Sequence, residues 1–154
     1  MANKQADVQH DSAGAWAKKY HMTTRMVMES VLRPYELGPT QWYVLYQLGT
    51  VGATAQRDLV LILQVERATL TGVVAALVRK GLVRQTPDAA DQRQKVLTMT
   101  PAGAALWREL PDPIALILET AFEGVSEADL ATTSRVLRDA TGRLVALLAE
   151  GDEG

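Results

Sequence analysis

No cysteine occurs anywhere in the 154 residues. Disulfide staples, thiolate metal sites and thiol-based redox sensing are therefore excluded. Histidine is nearly as scarce: His10 and His21 are the only two, too few to build a zinc site unaided. No apolar run approaches the length of a membrane span. The polar opening MANKQADVQHDSAG lacks the apolar stretch of a secretory signal, so a cytoplasmic protein with no membrane partner is the expectation. No nucleophile–base pairing, phosphate-binding glycine loop or metal spacing is visible; an enzyme is not expected, nor is a cofactor or a metal. Missing, too, is the overall basic excess that a nucleic-acid binder first suggests, because 16 Lys and Arg stand against 18 Asp and Glu.

What is present is enough for one core. An apolar content of 47% argues against disorder, and this length suits a single domain over 1–154. Charge is unevenly spread. Residues 56–95 hold seven Lys/Arg and four Asp/Glu, whereas residues 96–154 hold four and ten. That asymmetry marks either a basic reading surface or chance variation on a solvated one.

The most informative run, Val65 to Thr100, overlaps the basic stretch. Leu70, Val73, Val74, Leu77 and Val78 recur at helical spacing and predict an apolar stripe on a helix over Glu66 to Lys80. The opposite face carries Arg67, Ala68, Thr71, Gly72, Ala75 and Arg79, and Gly81 suits the left-handed position that ends a helix. Leu82 to Thr86 and Lys95 to Met99 then alternate like strands around a turn-rich loop, Pro87 to Asp91. A helix with a small polar face followed at once by a basic hairpin predicts a winged helix-turn-helix. Its helix suits a major groove and its hairpin an adjacent minor groove.

The residues Leu37-Gly38-Pro39-Thr40-Gln41-Trp42, Val65 to Thr71, Lys80-Gly81-Leu82-Val83, Asp91-Gln92-Arg93 and Leu97 to Gly103, in this order and spacing, resemble the MarR (multiple antibiotic resistance regulator) family. The resemblance implies a mainly α fold with a small β-hairpin wing, in which 39–100 form the winged helix-turn-helix DNA-binding lobe. Segments 12–34 and 101–150 would be dimerisation helices. It also implies a homodimer on a pseudo-palindromic operator in double-stranded DNA, acting as a repressor released by a small aromatic or phenolic acid. Three positions depart from the pattern: Glu66 stands where a Ser-like cap is usual, Gly72 where a basic residue is frequent, and Gln85 where Arg is usual. They favour an alternative, a winged-helix interaction module that has lost specific DNA binding.

Along the rest of the chain, residues 1–11 are expected to fray. Asp11 or Ser12 is placed to cap a helix that stops before Pro34. Pro39 suits the first position of a second helix running to about Thr50, with Gln41 reaching back to the cap backbone. Val51 to Thr54 reads as a turn and Ala55 to Leu63 as a third helix with Leu59, Ile62 and Leu63 inward. Thr100-Pro101 opens a fifth helix that Pro111 and Pro113 must break, with Asp112 capping the restart. Ser126 opens the last helix, where Leu130, Leu137 and Leu144 are seven apart. That stripe fits packing within the chain or between copies; the resemblance implies the latter.

For DNA the candidates are Gln56, Arg67, Ala68, Thr69, Thr71, Arg84, Gln92, Arg93, Gln94 and Lys95. Arg suits guanine edges, and Thr and Ala methyls suit thymine methyls. Arg84 is a candidate to replace the basic residue missing at Gln85, and Asp91 to orient Arg93. Six of the eight aromatics lie between positions 16 and 46. Trp16/Tyr20, His21/Arg25 and Trp42/Tyr46 are i,i+4 pairs on shared helix faces. Core or dimer packing explains such a cluster, and so does a ligand site. In the second reading Trp16, Tyr20, Trp42 and Tyr46 line a cleft between the first, second and fifth helices, and His21 or Arg25 pairs the ligand's oxygen.

Overall fold

The computed structural model describes residues 11–151, and the chain divides into two compact units, one ending at Ile114 and the other beginning at Ala115. The expected fraying of 1–11 thus falls, apart from Asp11, outside the described residues, as does His10.

In the first unit, α1 (Ala13–Leu32) starts at Ser12, whose hydroxyl accepts from the Ala15 amide at 3.1 Å. Met28 and Leu32 are its buried residues, and a short 3-10 turn, Arg33–Tyr35, takes up Pro34. α2 (Pro39–Thr50) has Pro39 at its first position, with the Gln41 side chain accepting from the Gly38 amide at 3.1 Å. Trp42, Val44, Leu45 and Leu48 are buried along it. α3 (Gln56–Leu63) and α4 (Arg67–Arg79) follow, and the chain turns by 118° between them. That angle and the three-residue link match a helix-turn-helix, with Gln64 at φ 50° where glycine is frequent. Leu59 of α3 and Leu70, Val74 and Leu77 of α4 are fully buried. Two expected inward residues are not: Ile62 is 51% exposed and Val78 is 40% exposed. Both lie at the edge of their helix's apolar stripe, where a partner covers only part of the face.

The wing is β2 (Val83–Pro87) and β3 (Lys95–Met99), paired antiparallel with Gln85 opposite Leu97. A two-residue strand, β1 (Thr54–Ala55), adds to the far side of β3, so the sheet order is β1-β3-β2. Sequence reading makes Thr54 part of a turn; pairing with Leu97, 43 positions away, is what draws it into a strand. Gly81 ends α4 at φ +71° as expected. α5 (Pro101–Glu109) starts on the Thr100 hydroxyl, which accepts from the Gly103 amide at 3.0 Å. The break falls as expected, and Asp112 accepts from the Ile114 amide at 3.0 Å as α6 (Pro113–Ala121) begins.

In the second unit, Gly124 turns the chain at φ +75° and the Ser126 hydroxyl accepts from the Asp129 amide at 3.1 Å. α7 (Glu127–Gly151) then runs for 25 residues with none buried. No single described helix is long and apolar enough to cross a membrane.

Candidate functional site

Among the described residues of the first unit, two hollows gather most of the residues singled out from sequence. The first is an open groove of about 360 Å³ lined by Gln56, Arg57 and Val60 of α3, Arg67 and Thr71 of α4, and Gln85, Arg93, Gln94 and Lys95 of the wing. Six of the ten residues named for DNA from sequence are therefore brought together: Gln56, Arg67, Thr71, Arg93, Gln94 and Lys95. Among the described residues the ion pair found is Arg57 with Asp58 at 3.7 Å, so no carboxylate is paired with Arg67, Arg93 or Lys95. Three free cations around a groove suit a polyanion.

Local chemistry places each of them. Arg67 opens α4, and the Thr71 hydroxyl donates back to the Arg67 carbonyl at 2.9 Å, leaving its methyl for a base. At the wing tip the Asp88 carboxylate accepts from the Ala90 amide at 2.7 Å. Asp91 accepts from the Arg93 amide at 3.0 Å; it orients Arg93 through the backbone. Gln85 Nε2 donates to Gln56 Oε1 at 2.6 Å and ties the wing to α3.

Four candidates lie outside the groove lining. Ala68 and Thr69 are exposed on the first turn of α4, and Gln92 at the wing tip. Arg84 is exposed beside Gln85 on β2, and adjacent strand residues point to opposite faces. It therefore does not stand in for a basic residue at Gln85. Arg57, Val60 and Gln85 were not among the candidates. The i,i+4 spacing from Gln56 is the sequence signal for Val60; Gln85 follows only from the register that sets Pro87 opposite Lys95, and no sequence signal marks Arg57.

The second hollow, about 350 Å³, lies between α1, α2 and the helix-turn-helix. It is lined by His21 and Arg25 of α1, by Thr40, Tyr43, Tyr46 and Gln47 of α2, and by Ile62, Leu63 and Val65. His21, Arg25 and Tyr46 are here as expected; Trp16, Tyr20 and Trp42 are not. Nor does α5 line it; α3 takes that place. Trp16 is 55% exposed, donates to the Asp11 carboxylate at 2.7 Å and lies under Lys19. Trp42 is 2% exposed and packs behind the wall, stacked on Tyr46 at 5.2 Å and 5.7 Å from Trp107 of α5. Thr40, Tyr43, Gln47, Ile62, Leu63 and Val65 line it without having been ligand candidates; for the first three the spacing i, i+3, i+7 is the signal. Burial raises the Tyr43 pKa above its usual value, against the lowering pull of Arg25. The phenol stays protonated at neutral pH and can donate, next to a cation and opposite an apolar wall.

Comparison with known proteins agrees with the fold. A family model described as the MarR family matches residues 35–94. The transcriptional repressor NicR of Pseudomonas putida is 30% identical over 106 residues, covering 69% of this chain and 66% of NicR. The transcriptional activatory protein BadR of Rhodopseudomonas palustris is 30% identical over 114 residues, covering 70% of this chain and 65% of BadR. The matched stretch thus spans just under two thirds of either relative. The structure of Bordetella bronchiseptica BpsR, described with regulation of its DNA binding by 6-hydroxynicotinic acid, superposes with TM-score 0.75 at 25% identity. That superposition covers 86% of this chain and 94% of BpsR.

Proposed function

The chain belongs to the MarR family, and on that premise we propose that it is a ligand-responsive transcriptional regulator that binds double-stranded DNA. In this reading 39–100 form the DNA-binding lobe, while 12–34 and 101–150 join two copies into a homodimer. It works in the cytoplasm, as a repressor. The observation that carries the proposal is the groove, where Arg67 of α4 and Arg93 and Lys95 of the wing line one concavity with no carboxylate paired to them. α4 suits a major groove and the wing tip the flanking minor groove.

The effector we propose is a small aromatic or phenolic acid in the second hollow. Its volume of about 350 Å³ is at the small end of ligand pockets. Arg25 or His21 pairs the anionic oxygen, Tyr43 donates to it, and Ile62, Leu63 and Val65 face the ring. Because these last three belong to α3 and the turn before α4, a ligand there presses on the helix-turn-helix itself. It lowers DNA affinity only as far as it prefers the conformation unsuited to DNA. The test is a panel of benzoate-type and hydroxylated aromatic acids read by tryptophan fluorescence and by DNA affinity together. Binding should quench Trp42, which stacks on the wall residue Tyr46, and weaken DNA binding. Arg25→Ala and Tyr43→Phe should blunt both responses. A panel that changes neither signal would mean that the hollow holds no such effector.

A further inference from the structure

Gln56 and Gln85 come from opposite edges of the sheet. Gln56 follows β1, which pairs with one side of β3, and Gln85 lies on β2, which pairs with the other. Thr54 and Gln85 flank the same residue, Leu97. The 2.6 Å bond between the two amides therefore spans the middle strand. Apolar support for the hairpin thins past this row: Val83 and Leu97 are buried and Val96 is half-buried, whereas Arg84 to Pro87 and Lys95 are exposed. Past the next row, where Ala55 of β1 still pairs with Val96, the wing tip is carried by a bare two-stranded ladder, which is marginal alone in water. Among the described residues, no other side-chain hydrogen bond joins the hairpin to α3 or α4. The tie is also neutral, so it consumes none of the positive charge of Arg67, Arg93 or Lys95.

We propose that Gln56 and Gln85 are positioning residues. Their amide bond fixes the angle of the wing against the helix-turn-helix, so that Arg93 and Lys95 meet the same duplex that Arg67 enters. Gln85 is then not a lost DNA contact but one half of a clasp. A duplex seated in the groove strips water from both amides and strengthens the bond at the moment when the angle matters. The inference rests on the groove being the DNA interface.

Two readouts test it, and the first needs no DNA. In the 15N-labelled chain, Gln56→Ala should raise the mobility of the 88–95 amides, although position 56 is on another element, with little change in melting temperature. Wing amides as ordered in Gln56→Ala as in the unaltered chain would overturn the clasp whatever the protein binds. The second readout uses a duplex enriched by the unaltered chain from a random-sequence pool. Gln56→Ala and Gln85→Ala should each weaken binding about fivefold, and the double variant no further, because either change alone already breaks the bond. Gln85→Arg, whose guanidinium can still donate to Gln56 Oε1, should bind at least as tightly as the unaltered chain. Losses that multiply in the double variant would reveal two independent DNA contacts and overturn the positioning role. A chain that enriches no duplex at all defeats the DNA reading, and the mobility measurement then decides the clasp alone.

Discussion

Glu66 stands at the cap position of α4 without a side-chain hydrogen bond to the helix. Its carboxylate sits at the helix mouth that a phosphate would approach. Glu66→Ser adds a cap, about 1 kcal/mol, and removes a favourable charge–dipole contact, about 0.3–1 kcal/mol. The two nearly cancel in stability, so the expected effect is tighter DNA binding at an almost unchanged denaturation midpoint. A Cβ at Gly72 would meet nothing within 4 Å, so the free protein does not require glycine there. Gly72→Ala should stabilise the chain by about 1 kcal/mol; if DNA packs against that backbone, affinity falls in the same variant, a split that chemical denaturation and gel shift read separately. Arg93→Ala should cost about 1–3 kcal/mol of DNA binding if the side chain reads a base edge, while Lys95→Ala should reduce the salt slope by about one. At this scale, Arg67, Arg93 and Lys95 were legible because they fall on a polar helix face and a hairpin, whereas Arg57 of the groove was not. The ligand wall was less so. Sequence shows that Trp42 and Tyr46 share a face, but not that Trp42 turns inward and Tyr43 lines the hollow.

Elements set by local chemistry match the sequence within a residue or two. Ser12, Thr100, Asp112 and Ser126 each accept from a backbone amide at a helix start. What could not be read is whatever depends on distant partners. β1 exists because Thr54 and Ala55 meet Leu97 and Val96. Trp107 joins the aromatic cluster because α5 crosses α2 at Gly49, where a Cβ would lie 2.7 Å from the indole nitrogen. α5 approaches the start of the wing still more closely: a Cβ on Gly103 would lie 2.1 Å from the Leu82 carbonyl oxygen. Backbone cannot yield as a flexible side chain can, so Gly103→Ala should destabilise by about 1–3 kcal/mol or more. Gly49→Ala meets only a side chain and should cost less. Thermal melts of the two variants check the order, and an unchanged melt for Gly103→Ala would contradict the packing described.

On the scale of the whole molecule, positive charge gathers on the groove and negative charge on the C-terminal part. α7 leaves Leu144 62% and Leu148 72% exposed on a helix with no buried residue. A second copy is the proposed cover, so light scattering should give a dimer at micromolar concentration. Charge-changing substitutions in α7's apolar stripe, such as Leu144→Glu, should shift it toward monomer. The most direct test of the central claim, that this chain reads DNA as a twofold pair of winged helices, is selection of duplexes from a random-sequence pool. The account predicts enrichment of a pseudo-palindrome with half-sites about one helical turn apart, lost when Arg67 and Arg93 are both replaced by Ala. A pool that stays unenriched, with every duplex bound equally at matched salt, would contradict it.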